Sequence, residues 1–438
     1  MLSSILKGPK LLLLSIFVSG LALFLFFVTP TEFEDLDPDQ VERIYFADNI
    51  SSAHQKVIAA FNHQHHGELE VVPINLPFTK FSTNERKQLL IRALRSKNSR
   101  IDIFAVDTFW IPRFIKWSEP LTKYFSPREL EGMLANAMET CYHDSELVAM
   151  PLYIDIGVMY YRRDLLQLQP DFEKLEKMLK QSLSWEEFIE LHQRLVSDGR
   201  PFYVFAADNF EGLMCSFIET LAGQQGSPPG PQSLQMDSPE ARRGLGLLVD
   251  LVNKYRITPM AVTEFREVDA YQYALENDAL FFRGWPGNLK PYLPRFEEKI
   301  ENIDVAALPH FRGHNPVAVY GGWNLMISST STKKAAAIAF LKFIASPETQ
   351  KMIYDEMGYL PTSQAVYEDS LYLSQHPELR FFRDYLKCGF HRPSLAEYTK
   401  ISDIVSYYVR LAIRQEVSVN EALRQATEHI KLNKVLVY

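Results

Sequence analysis

Two side chains in the run Met150 to Leu166, MPLYIDIGVMYYRRDLL, could do chemistry together: Tyr153 and Asp155. Pro151 opens an extended segment, and residues two apart in a strand leave from the same face, so one wall carries a flat ring beside a carboxylate. That pairing suits a sugar, because the ring covers the apolar C–H face of a pyranose while the carboxylate accepts hydrogen bonds from vicinal hydroxyls. The plainer alternative is that Tyr153 is core and Asp155 merely ends a β-run. Asp107, a second carboxylate, follows the apolar run Ile101 to Val106, with Trp110 within a turn as a further candidate ligand contact; the structural alternative for Asp107 is the cap of a helix beginning near Thr108. Trp285 lies between glycine and proline in Gly284-Trp285-Pro286-Gly287, where no regular helix interior can form, so its indole is expected on a loop. Trp323 follows Gly321 and Gly322, which let the backbone approach something closely while Trp323 starts another strand. Either tryptophan alone reads as core; the two together with the Tyr-x-Asp strand point to a stacking pocket. Asp107 and Asp155 could also be pictured as the acid and base of a glycoside hydrolase, yet nothing in the sequence positions a proton donor.

Metal chemistry is not expected. His63, His65 and His66 cluster just before Gly67 with no carboxylate at ligand spacing, which reads as a solvated helix end. Cys141, Cys215 and Cys388 form no CxxC pair, so a zinc ribbon and a full disulfide framework are both excluded, while a single bridge stays open. A net charge of -8 argues against a nucleic-acid partner, which would want a basic face. No cofactor is implied. With 438 residues, 47% of them hydrophobic, the chain is long enough for two compact lobes.

The N-terminus carries a compartment signal. Lys7 and Lys10 precede Leu11 to Val28, eighteen uncharged residues that can just span a bilayer, and an acidic stretch from Glu32 to Asp39 follows. Lysines before the span keep that end cytoplasmic, so the remainder is expected outside the cytoplasmic membrane. Two readings stay open: an uncleaved signal anchor through residues 11–28, and a cleaved signal peptide.

The elements that must hold these side chains alternate. Residues 42–47 and 69–76 read as strands, 53–61 and 84–95 as helices, and 101–106 as a strand covered on both faces. This β-α-β-α-β start belongs to an open α/β sheet, in which ligands sit beyond the carboxyl ends of the strands, where Asp107 falls. Later helices announce their first turns: Ser126, Ser184 and Ser418 each stand three residues before a glutamate, and Ser238-Pro239 and Ser346-Pro347 place proline just after a serine cap. Residues 223–232, GQQGSPPGPQ, read as a loop.

Across residues 42–432 the chain resembles the extracellular solute-binding proteins of carbohydrate ABC importers, and within them the trehalose/maltose-binding proteins. The blocks that carry the resemblance are PLYIDIGVMYYRRDLL (151–166), NFEGLMCSFIE (209–219), VAALPHFRGHNPVAVYGGWNLMIS (305–328), GYLPTSQAVYED (358–369) and RPSLAEYTKIS from Arg392. The resemblance implies a two-lobed, type II-like periplasmic-binding-protein fold with a hinge and a ligand cleft, and no enzymatic activity. Its lobes would be residues 42–150 with about 303–345, and 151–302 with about 346–438, preceded by the anchor or signal peptide (1–29) and an acidic tether (30–41). It further implies a disaccharide or oligosaccharide ligand, delivery to permease subunits, and ligand contacts from Asp107, Tyr153, Asp155, Trp285, Gly322, Trp323 and Arg392, with Arg86 as a further basic contact. Two positions depart from the pattern: the loop from Asp48 to Ser52 is short and lacks the family's acidic ligand, and Gly287 stands where an aromatic is expected. An anchored sugar sensor reporting to a signalling partner is the competing reading, supported by the uncleaved span.

Overall fold

The computed structural model describes residues 41–77, 80–81, 83–96, 100–195, 199–224 and 236–432. The span 11–28, the acidic tether and most of the 223–232 loop lie outside the described residues. Among those described, no helix is long and apolar enough to cross a membrane.

Among the described residues twelve strands form three sheets: β1 (Glu42–Asp48), β2 (Leu69–Asn75), β3 (Ile103–Asp107), β4 (Tyr142–His143), β5 (Glu146–Leu147), β6 (Met150–Ile156), β7 (Val158–Arg162), β8 (Tyr203–Val204), β9 (Phe281–Gly284), β10 (Ile303–Ala306), β11 (Ala318–Ile327) and β12 (Gly389–Phe390). The helices that matter below are α1 (Ser52–Gln64), α2 (Thr83–Arg95), α3 (Glu211–Ala222), α4 (Pro239–Asn253), α5 (Glu267–Glu276), α6 (Lys334–Ala345), α7 (Pro347–Met357), α8 (Tyr398–Ile413) and α9 (Val419–Lys431). The first sheet runs β12-β11-β3-β1-β2, with β6 on the other side of β11; the second runs β10-β7-β9-β8; β4 and β5 form a small hairpin. As the alternating pattern predicts, β1 is parallel to both β2 and β3. β3 is buried at every position but its last, Asp107, as befits a strand covered on both faces.

Local chemistry starts the helices where the sequence expects. Ser126 and Glu129 close a reciprocal capping box, Ser184 and Glu187 exchange the same bonds, and Ser238, Ser346 and Ser418 each accept from a backbone N–H in the first turn. Each such cap contributes about 1 kcal/mol. His65 follows α1 and lies 4.3 Å from the Phe61 ring, centroid to centroid.

Strand pairing differs from the expected division of the chain. β6 pairs with β11 in the first sheet and β10 with β7 in the second. The chain therefore passes between sheets at Gly157 and within 307–317, not at residues 150/151 and 302/303. α7, expected with the second lobe, packs instead on α1 beside the first sheet. Gly321 and Gly322 also lie inside one ten-residue strand instead of preceding a new one, with an irregularity in register between Trp323 and Asn324. These differences share a cause: period and turn residues mark strands locally, whereas sheet membership is set by partners more than a hundred residues away.

Candidate functional site

The site begins with register. Trp323 on β11 stands opposite Asp107 on β3 and opposite Tyr153 on β6, so three segments distant in sequence form one row across the sheet. Two residues back along β11, Gly321 stands opposite Asp155. Directly opposed residues point to the same face, which puts the ring and both carboxylates on one wall at the carboxyl end of β3. The Tyr-x-Asp spacing and Asp107 are thus brought together as the sequence suggests. Asp107 stands at the N-cap of the short helix that follows, where its side chain makes no capping hydrogen bond by geometry, while the nearby Phe109 N–H still favours its charged form.

Trp285 reaches this wall from the other sheet. Its backbone is pinned at both ends: the Trp285 N–H donates to the Tyr271 hydroxyl at 3.1 Å, and the Tyr160 hydroxyl donates to the Trp285 carbonyl at 2.6 Å. A Cβ on Gly321 would lie 3.1 Å from Asp155 Cβ and 3.2 Å from Trp285 Cζ3, so the missing side chain at 321 is what lets the indole come up to the carboxylate. Gly322 has a different reason. Its φ of +121° and the Tyr153 carbonyl oxygen, 2.5 Å from where a Cβ would stand, show that the close approach is to the β6 backbone.

Arg392 joins groups from both sides. Its Nη2 donates to Asp107 at 2.8 Å and its Nη1 to Glu211, the first residue of α3, at 3.0 Å. Glu211 also accepts from the Tyr398 and Ser402 hydroxyls. The Arg392 guanidinium lies 4.2 Å from the centroid of the Phe109 ring. Arg86 is fully buried, donates to Asp48 at 2.9 Å, and lies 4.5 Å above the Trp323 ring. Asp48, at the start of the short loop after β1, is committed to Arg86 and to His54, 3.1 Å away.

Three sequence expectations change in detail. Trp110 is 1% exposed, stacks on Phe114 and meets Trp323 edge-on, so it buttresses the other indole instead of presenting a face. Tyr153 stacks face to face on Tyr359 at 4.2 Å, which occupies one side of its ring. Trp285 and Trp323 are 9% and 8% exposed, each with one face under a guanidinium, Arg283 and Arg86 respectively. Sequence reasoning missed Glu211, Tyr359, Glu267 and the Glu219–Arg283 pair. Glu211 and Tyr359 sit inside blocks already singled out, so their position was visible though not their role. Two polar atoms of the wall, Trp110 Nε1 and Arg392 Nε, are buried without a hydrogen-bond partner among the described residues.

Burial sets the electrostatics. It pushes the Asp107 carboxyl up to about 6, against the pull of Arg392 and with a further push from Glu211. It raises Asp155 well above the ordinary carboxylate range, against the Ile156 N–H and Arg283, which both favour charge. Glu267, whose Oε1 abuts Gly212 in the first turn of α3, is pushed up to about 7 by the same loss of water. Carboxyls held in this way are ready to exchange hydrogen bonds with a neutral polyhydroxyl partner. The three thiols are free, so the single disulfide left open by the sequence is not formed.

This α/β arrangement, with two sheets crossed by the chain and polar groups gathered at strand ends, is that of two-lobed binding proteins. The chain belongs to the bacterial extracellular solute-binding proteins, whose family pattern it matches over residues 46–351. It is 25% identical over 349 residues to a probable ABC transporter-binding protein of Deinococcus radiodurans, covering 78% of this chain and 82% of that one. Among solved structures it is similar to the maltose-bound T. maritima MalE3, with 26% identity, a TM-score of 0.78, and coverage of 90% of this chain and 100% of that one. The GacH receptor of Streptomyces glaucescens, solved unliganded and with acarbose, shares the fold at 18% identity and a TM-score of 0.75, covering 91% of this chain and all of that one.

Proposed function

We propose that this protein is the extracytoplasmic capture component of a carbohydrate ABC importer. Its ligand is a disaccharide or oligosaccharide of trehalose or maltose type, delivered to permease subunits when the lobes close. The observation that carries the reading is the row Asp107–Trp323–Tyr153 with Asp155 beside it, faced by Trp285 from the other sheet. Indoles stack on the C–H faces of pyranoses, Asp107 and Arg392 exchange charge-assisted hydrogen bonds with hydroxyls, each contributing about 1.5–3 kcal/mol, and the Asp155 carboxyl exchanges neutral ones of about 0.5–1.5 kcal/mol. Micromolar affinity needs about 8 kcal/mol net, so four or five such contacts suffice after ordering costs. A hydroxyl would also satisfy Arg392 Nε. The names of the maltose- and acarbose-bound relatives support the same ligand class. In this reading Asp107, Tyr153, Asp155, Trp285, Trp323 and Arg392 touch the sugar, Gly322 permits the approach of β11 to β6, and Trp110 and Arg86 hold Trp323.

The lobes would be residues 42–156 with the β11 to α7 region, and 158–306 with the C-terminal helices. Gly157 and 307–317 would act as the hinge. Closure turns occupancy into a shape that a permease can recognise. Residues 11–28 would hold the protein at the outer face of the cytoplasmic membrane. A thermal-shift screen of the full-length protein against mono- and disaccharides tests the ligand class: stabilisation by at least one disaccharide is expected, and stabilisation by none would remove the reading.

A further inference from the structure

Arg283, on β9, is buried although it carries a charge. Its Nε and Nη2 donate to the two carboxylate oxygens of Glu219 on α3, at 2.9 and 2.8 Å, the planar fork at which arginine excels. A buried pair of this kind is weak evidence for stability, since desolvation offsets much of the attraction. Its surroundings suggest another purpose.

On one side the pair touches the places where the chain passes between sheets. Glu219 Oε1 accepts from the Val319 N–H, near the start of β11, at 3.2 Å. A Cβ on Gly157, the single residue between β6 and β7, would stand 2.4 Å from Glu219 Oε1 and 3.0 Å from Arg283 Nη2, so the carboxylate and guanidinium fill the space a side chain would take. The buried Tyr385 hydroxyl ties the same two crossings together, donating to the Gly157 carbonyl and accepting from the Leu308 N–H, both at 3.0 Å. On the other side, the Arg283 guanidinium lies 4.6 Å over the Trp285 ring. A continuous path thus runs from the crossing backbone through Glu219 and Arg283 to the indole.

We infer that Arg283, held by Glu219, is a positioning residue for Trp285, and that the pair transmits the geometry of the two inter-sheet crossings to the sugar-stacking indole. The inference rests on the reading of Trp285 as part of the sugar site. Rotation of one sheet relative to the other about Gly157 and residues 307–317 moves Val319 and displaces the Glu219 carboxylate it donates to, and the fork carries Arg283 with it. The indole orientation then follows the inter-sheet angle, so the stacking surface is presented in register with closure.

The test uses the full-length protein with maltose as probe. Arg283→Lys keeps the buried charge pair but loses the planar fork and the flat guanidinium over the ring. The expected result is a loss of about tenfold in maltose affinity, a shifted tryptophan emission in the absence of sugar, and unchanged far-ultraviolet circular dichroism. Glu219→Gln, which keeps an acceptor for Val319, should shift the emission in the same direction. Gly157→Ala, whose methyl meets the pair and Leu308 first, should also shift it. All three emission shifts should vanish in a Trp285→Phe background, and the shifts of Glu219→Gln and Gly157→Ala, which act on the far side of the guanidinium, separate coupling from a local contact. Emission unchanged in Arg283→Lys, or shifts that persist without the Trp285 indole, would overturn the inference. Unchanged maltose affinity in Trp285→Ala would instead overturn the site reading, and the emission measurements would still decide the coupling.

Discussion

Gly287→Ala separates folding from closure. Gly287 sits in the loop after Trp285 with φ at +81°, and a Cβ there would stand 2.3 Å from the Met357 carbonyl oxygen and 3.0 Å from the Gly358 carbonyl carbon. Met357 ends α7, which packs on α1 beside the first sheet, whereas Gly287 follows β9 of the second, so this contact spans the proposed cleft. It also accounts for the missing aromatic at 287: a side chain of any size meets backbone. Lys290 reinforces the same contact by donating to the Asp355 carbonyl in the last turn of α7, where helix carbonyls are unsatisfied and attract a cation. Placing alanine at positive φ costs about 1–2 kcal/mol in any conformation. The clash adds an overpacking cost of about 1–3 kcal/mol, paid only when the two loops meet. Affinity for a sugar that requires closure should therefore fall by about 5- to 150-fold. Gly313 supplies the control, because its φ is +85° and nothing lies within 4 Å of the position of a Cβ. Chemical denaturation should show similar destabilisation of Gly287→Ala and Gly313→Ala, while calorimetric titration with a sugar selected by the thermal-shift screen should show weakened binding in the first alone. Equal affinity in the two variants would refute the assignment of this contact to closure.

Other expectations follow from the buried charges and thiols. Arg392→Ala leaves the Asp107 and Glu211 carboxylates without their shared cation and should destabilise the fold by about 3–5 kcal/mol, read from urea unfolding. A loss under about 1 kcal/mol would show that the triad is not a buried unit. Glu267 holds its proton to higher pH when folded than when unfolded, so the stability it confers is complete below about pH 4 and is lost as the pH rises through about 7; a full shift from 4.5 to about 7 corresponds to about 3 kcal/mol at most. Glu267→Gln should accordingly flatten the fall in stability between pH 5 and 8, and an unchanged slope would count against the burial of that carboxyl. Cys388, half-buried, should react first with a thiol reagent, whereas the fully buried Cys141 and Cys215 react only on unfolding. Rapid reaction of all three in the native protein would contradict the packing.

The part of the fold legible in the sequence is the part set by local chemistry. The first three strands and two helices, the serine caps and the face shared by Tyr153 and Asp155 follow from period and residue type. The sheet crossings do not, because β6 and β10 are placed by strands far along the chain, and their own residues suit either sheet. Within the site, Asp107 and the tryptophans could be read from their flanking glycines and strand ends. What covers them could not. Arg283 and Glu219 stand in apolar runs that read as core, and their pairing across 64 positions has no local signature. The same holds for Arg86 over Trp323 and for Tyr359 on Tyr153. Gly321 and Gly322 signal a close approach of the backbone without naming its partner: at 322 it is the neighbouring strand, and at 321 the indole.

In the proposed function a sugar is gripped between indoles and carboxylates from separate parts of the chain. Calorimetric titration of the full-length protein and of its Trp285→Ala and Trp323→Ala variants with maltose and trehalose tests it most directly. Binding of at least one of these disaccharides in the micromolar range is expected, weakened about tenfold or more by each substitution while the cooperative unfolding transition is retained. Absence of binding to either sugar, or the same affinity in all three proteins, would contradict it.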